Sequence, residues 1–208
     1  METTAKQNIL NKIKQALVNP VPLPFPEREG DTNFFVRNNE DNLILFAEEF
    51  TKLQGKFSFC KNEEDLKNQL IKLIAEKGWE KINCNEIEIS AILKNIEIEN
   101  YTHLPSCDVS ITTCEALVAR TGTMVLTTAQ ASGRTTSVYA PIHICIAYTS
   151  QVVYDVTDAL VNIKEKYTNA FPSFVTFASG PSRTADIEKT LVTGVHGPKE
   201  VFCFLVNI

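Results

Sequence analysis

The sequence predicts an α/β fold built on a mainly parallel sheet, and three observations carry that reading. Between residues 42 and 84, helix-like and strand-like segments alternate, the pattern of parallel strands joined by crossover helices. Residues 174–192 read as a strand that turns through Gly180-Pro181 into a helix, the form such sheets take at a strand end. The last stretch, residues 201–208, is apolar almost throughout, as a strand inside a sheet must be.

The chain opens with an amphipathic helix over residues 3–18. Ile9, Leu10, Ile13 and Leu17 share one stripe, while Lys6, Lys12 and Lys14 lie on other faces. Pro20, Pro22, Pro24 and Pro26 then impose an extended linker, because proline cannot continue a helix or join a central strand. Residues 1–26 are therefore read as helix and proline-rich linker, and 27–208 as the α/β domain. The helix has apolar surface to bury: on its own domain, in a swapped dimer, or on a partner.

Within the domain, Leu43, Phe46, Ala47 and Phe50 recur at helical spacing over 42–53, and 57–60 reads as a strand. Leu66, Leu70, Leu73 and Ile74 mark a helix over 64–77 that stops at Gly78, followed by a strand near 80–84. Residues 85–100 mix period-two pattern with helix formers, and a helix is placed at 90–94. Strands follow at 109–112, 124–127, 141–147 and 152–154. Residues 114–119 are a helical or extended approach to the turn 121–123, and 129–134 form another turn. A helix over 158–167 has Leu160, Val161 and Ile163 as its apolar positions. Residues 174–179 read as a buried strand, and 183–192 as a helix ended by Gly194.

Composition limits the function classes. At 208 residues, 44% hydrophobic and 22% charged, the chain suits one globular domain with a short N-terminal appendage. A net charge of −5 without a basic stripe argues against a nucleic-acid partner. No apolar run approaches the ~20 residues that span a bilayer, and the polar start METTAKQNILNK is unlike a secretory signal, so a cytoplasmic protein is expected. Cys60, Cys84, Cys107, Cys114, Cys145 and Cys203 form no CxxC pair and read as reduced, mostly buried small hydrophobes, with no metal site. The dinucleotide and P-loop glycine patterns, the hydrolase G-x-S-x-G and iron–sulfur cysteine spacings are all absent.

Several residues carry candidate chemistry. A helix starting after Gly180 would leave backbone N–H groups free for an anion, with Ser182 or Thr184 as cap. Asp186 and Glu188 would stabilise that helix yet repel an anionic ligand, so the two uses compete. His196, between Gly194 and Gly197, can act as general acid or base, or orient a hydroxy acid, if Asp186 or Glu188 approaches its ring. Thr121, Gly122 and Thr123 offer hydroxyls and N–H groups to a phosphate or carboxylate, beside Glu115, or form an ordinary strand-edge turn. Arg134 and Arg183 lie in glycine-containing turns and suit a two-pronged carboxylate contact; Arg183 can equally pair with Asp186 or Glu188. His143, alternating with apolar residues, reads as a core histidine holding a backbone carbonyl, and His103 as an ordinary loop residue.

The runs GPSRTADIE, GVHGP, ALVARTGT and PIHI resemble the LUD domain of the lactate-utilization protein C family, chiefly over residues 109–208. The order helix, proline-rich linker, helix before them is also similar to that family. The resemblance implies a three-layer α/β sandwich with a mainly parallel central sheet, similar to the sugar-phosphate isomerase and CoA-transferase-like fold. It implies a component of a lactate-utilization system, acting with iron–sulfur partner subunits in the oxidation of L-lactate to pyruvate. The chain would carry no cofactor of its own, with iron–sulfur clusters only in the partners, and a homo-oligomer is compatible. On this reading His196, Glu115 and Asp186 are the catalytic candidates. Thr121, Gly122, Thr123, Arg134, Gly180, Ser182, Arg183, Thr184 and Gly197 are candidates for binding a small anionic metabolite. Two alternatives stand beside it. One is a separate enzyme or binding protein for a sugar phosphate or acyl-CoA, with Glu115 as base or nucleophile. The other is a non-catalytic assembly protein that docks through its N-terminal helix and linker.

Overall fold

The structure, a computed structural model, describes residues 4–18, 41–184 and 192–208. The chain divides into two units, Met1–Asn38 and Asn39–Ile208. In the first, helix α1 (Ala5–Val18) forms as its periodicity predicts, with Ile9, Leu10, Ile13 and Leu17 all exposed. The proline linker lies outside the described residues.

The second unit runs α2 (Asn42–Lys52), β1 (Lys56–Cys60), α3 (Glu63–Lys77), β2 (Ile82–Cys84), α4 (Ile87–Asn95), β3 (Val109–Thr112), β4 (Ala116–Val118) and β5 (Thr123–Thr127). It continues through α5 (Thr136–Tyr139), β6 (Ile142–Tyr148), β7 (Val152–Val153), α6 (Val156–Lys166), β8 (Val175–Ala178), β9 (Arg183–Thr184), β10 (Val192–Thr193) and β11 (Glu200–Val206). Local chemistry sets the helix ends. Asp41 and Asn62 accept backbone N–H bonds at the starts of α2 and α3, Asp155 and Asp158 form a reciprocal cap on α6, and Gly78 ends α3 in the left-handed region at φ 65°.

Five strands form a wholly parallel sheet in the order β1-β11-β6-β3-β2. The apolar last strand thus sits inside it, as its sequence requires. Alternation along β6 and β11 divides the core. Ile142, Ile144, Ile146, Phe202, Phe204 and Val206 pack with α3 and α4. Cys145, Ala147, Val201, Cys203 and Leu205 pack on the other face against Phe46 and Phe50 of α2 and against Leu117, Met124 and Leu126. Those last three belong to a second, four-stranded sheet, β7-β4-β5-β8, in which β5 runs antiparallel to both neighbours. Its far side carries Ala159 and Ile163 of α6. All six cysteines are buried and unpaired, and burial together with Asp65 raises the Cys60 thiol to about 12.

Three local expectations are corrected. Residues 183–192 do not form a helix from end to end: Arg183–Thr184 pairs antiparallel with Val192–Thr193, and residues 185–191 lie outside the described ones. Backbone bonds decide this, since Ser182 N–H donates to Pro198 O and Gly194 N–H to Ser182 O, both at 2.9 Å. Arg183 and Thr184 are therefore strand residues, and Gly194, at φ 79°, follows a strand. The strand expected at 174–179 is β8, Val175–Ala178, and it is an edge strand rather than a buried one, with Phe177 45% exposed. On α6 the inward residues are Ala159 and Ile163, while Leu160 and Val161 face solvent, because the helix covers only a narrow strip of the second sheet. The helix placed at 90–94 extends over the whole of α4.

Candidate functional site

A parallel sheet has two chemically different edges, and a cavity opens at each. The amino edge begins with His143, second residue of β6, in register with Val201, second residue of β11. The segments Ser179–Ser182 and Gly194–Pro198 close over these strand starts. Between them lies a cleft of about 270 Å³ whose walls include His143, Ser179, Gly180, Ser182, His196 and Gly197. Gly180 needs to be glycine twice over: its φ is +88°, and a Cβ there would lie 2.5 Å from the Leu53 carbonyl oxygen. Arg183 donates from Nη2 to the same oxygen at 2.6 Å. Both contacts fix the loop to the end of α2.

His143 is 1% exposed, and its Nε2 bonds Thr112 Oγ1 at 2.9 Å. Burial lowers its pKa, against a small opposing effect of Cys145, so the ring is neutral near pH 7. His196, by contrast, sits exposed at the mouth. The cleft therefore joins a neutral imidazole on its floor to a second imidazole and serine hydroxyls at its rim.

The carboxyl edge opens where β2, β3 and β6 end, at Glu86, Thr113 and Tyr148, into a cavity of about 370 Å³. Glu115 stands in its wall with a side chain only 3% exposed. One carboxylate oxygen accepts Thr127 Oγ1–H and Tyr167 O–H, and the other accepts Lys166 Nζ–H, each at 2.8 Å. Burial and the Glu115 carboxylate raise the Tyr167 pKa, so the phenol stays neutral. Burial alone would depress Lys166, but its bond to Glu115 prevails and raises it, so the ammonium persists.

The structure gathers Gly180, Ser182, His196 and Gly197 into the amino-edge cleft and leaves the other predicted residues elsewhere. Arg183 turns to Leu53 and, with Thr184, belongs to β9. Thr121, Gly122 and Thr123 lie on a tight turn against α2, where a Cβ on Gly122 would come 2.4 Å from the Phe50 nitrogen. They reach the cleft only through a hydroxyl chain, Thr121 to Thr123 at 2.7 Å and Thr123 to Ser179 at 2.6 Å. Arg134 donates to Ser173 Oγ at 3.0 Å and lies over the Phe174 ring. Glu115 belongs to the other cavity, and Asp186 and Glu188 lie outside the described residues. Sequence reasoning missed His143 as a cleft wall, since strand alternation alone cannot tell a core position from a cavity floor. It also missed Lys166 and Tyr167, which carry no signal linking them to an acid 51 and 52 residues earlier. Among the described residues no group of three or more His, Cys, Asp or Glu side chains is arranged to hold a metal ion. None of the described helices is long and apolar enough to cross a membrane.

Fold and cavities define an α/β protein whose parallel sheet carries a ligand-sized opening at each end. The chain belongs to the LUD domain family, whose model matches residues 43–206. It is 32% identical to an uncharacterized protein of Neisseria meningitidis serogroup B over 139 residues, covering 65% of this chain and 59% of that protein. It is 29% identical to lactate utilization protein C of a Geobacillus strain over 166 residues, 69% of each chain. This chain thus spans less than two thirds of the Neisseria protein's length. It is also similar in fold to the crystal structure of a DUF162 family protein from Deinococcus radiodurans, with a TM-score of 0.60, 19% identity, and coverage of 79% of this chain and 96% of that one.

Proposed function

We propose that this protein is a component of a lactate-utilization system, in which the amino-edge cleft holds L-lactate while iron–sulfur partner subunits take up the electrons of its oxidation to pyruvate. The relatives named lactate utilization protein C support the system. The observation that carries the site is the pairing of buried, neutral His143 with exposed His196 across one small cleft. Oxidation of a 2-hydroxy acid to a 2-oxo acid removes two protons and two electrons in all: the hydroxyl proton, and the α-hydrogen with the electron pair of its C–H bond, which passes to the partners' acceptor. The ring nitrogen of His143 that Thr112 does not engage accepts the hydroxyl proton, because a neutral imidazole is a competent base at neutral pH. His196 and the Ser182 hydroxyl donate to the carboxylate at the mouth. The electron acceptor belongs to the partners, and this chain binds and orients.

Titration calorimetry of the full chain with L-lactate and pyruvate tests the cleft. Saturable one-to-one binding is expected, weakened about tenfold or more by His143→Gln and by His196→Ala, the usual effect of removing a hydrogen bond to a charged ligand. Absence of saturable binding, or unchanged affinity in both folded variants, overturns this assignment. The alternative of an anionic metabolite at Glu115 is disfavoured by that cavity's three carboxylates, Glu86, Glu88 and Glu115, against the single ammonium of Lys166.

A further inference from the structure

Glu86 is the buried charged group that neither the fold nor the proposed lactate site explains. It is 9% exposed, lines the carboxyl-edge cavity, and accepts one hydrogen bond at Oε1, from Ser132 N–H at 3.1 Å. It occupies the N-cap position of α4 yet makes no side-chain cap, so helix capping does not account for its orientation. No Lys, Arg or His among the described residues forms an ion pair with it. A carboxylate so enclosed is costly unless a countercharge joins it. Ser132, whose backbone N–H is that single donor, keeps its own hydroxyl buried without a hydrogen-bond partner and does not line the cavity.

The rest of the cavity fits the same ligand. Glu115 is already engaged by Thr127, Tyr167 and Lys166, the last a countercharge, which makes it a wall rather than an anchor. Glu88 adds a second carboxylate near Glu86 on the same wall. Tyr148 lines it as a neutral phenol, its pKa raised by burial and by Glu63 and Glu88. The opening lies where β2, β3 and β6 end, the edge at which loops diverge from a parallel sheet and leave room for ligands. Its volume of about 370 Å³ suits a small metabolite.

We propose that this cavity is a second binding site, for a small organic molecule bearing a primary ammonium group that pairs with Glu86 and is flanked by Glu88 and the Tyr148 hydroxyl. The carboxylates attract a cation and repel lactate, so this site and the amino-edge cleft select opposite charges at opposite ends of one sheet. The two proposals are independent.

Titration calorimetry of the full chain with putrescine, against sodium chloride at equal ionic strength, tests this. Saturable one-to-one binding is expected, weakened about tenfold or more in Glu86→Gln and several-fold in Glu88→Gln, with His196→Ala binding putrescine like the parent chain. Magnesium chloride serves as a second comparison and is expected to compete no better than sodium chloride. Heats indistinguishable from salt, magnesium displacing putrescine, or a folded Glu86→Gln chain with parental affinity overturns the proposal. Should Glu86→Gln fail to fold, unchanged affinity in Glu88→Gln, whose side chain is exposed, overturns it instead.

Discussion

His143 is held neutral by burial, so protonating it costs the folded state free energy. Its folded pKa lies below the value of about 6.5 that it takes in an unfolded chain. The unfolded state therefore binds more protons as pH falls through that region. The stability His143 preserves is complete above about pH 6.5 and is lost as pH drops towards its folded pKa. Urea denaturation between pH 7.5 and 5.5 should show stability declining on acidification, with a shallower decline in His143→Gln; equal slopes would show that other groups govern the effect. The residue itself stands out in the sequence as a histidine inside an apolar strand. Its place on a cavity floor is not legible there, because that depends on the loops around Gly180 and His196 meeting over β6. Glu115 is a related case: the acid is visible in its motif, but its three donors come from β5, the last residue of α6 and Tyr167 just after it.

Among the elements, the turn after β4 shows most clearly how packing overrode a chemical reading. Thr121-Gly122-Thr123 has the composition of an anion loop, yet Gly122 sits at φ 56° with the backbone of α2 where a side chain would go. Gly122→Ala should cost about 2–4 kcal/mol, read from the urea midpoint, since neither the positive φ nor the neighbouring backbone can yield cheaply. A loss under half a kilocalorie would mean that α2 shifts freely. Helix α1 presents the opposite situation, an apolar stripe that the structure leaves exposed. If it serves partner capture, deleting residues 1–26 should abolish recovery of partner subunits while leaving the thermal unfolding of the domain intact; undiminished recovery would assign the stripe another use. After Gly180 the helical reading fails at the two ends that the structure describes, Arg183–Thr184 and Val192–Thr193. Pairing of Arg183–Thr184 with Val192–Thr193 depends on Ser182 meeting Pro198 and Gly194, contacts that propensity does not encode.

For the whole molecule, the parallel sheet was legible because β1 and β2 alternate with helices and because β6 and β11 carry long apolar runs. The strands of the second sheet were read but their assembly into a separate sheet was not, since β5 joins β8 across about fifty intervening residues. That second sheet, with α2, covers one face of the first and so holds the Ser179–Ser182 loop over the cleft. The same arrangement leaves the two edges of the parallel sheet open and chemically distinct, histidines and serines at one, carboxylates and tyrosines at the other. The central claim is that the amino edge holds lactate within a larger oxidising assembly. It is tested most directly by isolating the tagged protein with its native partners and measuring L-lactate oxidation to pyruvate, with the parent chain and with His143→Gln. Iron–sulfur partners and lactate oxidation with the parent chain, together with a loss of about tenfold or more in kcat/KM for the variant at undiminished partner recovery, is the predicted result. A protein recovered alone and inactive, or a His143→Gln complex as active as the parent, would contradict it.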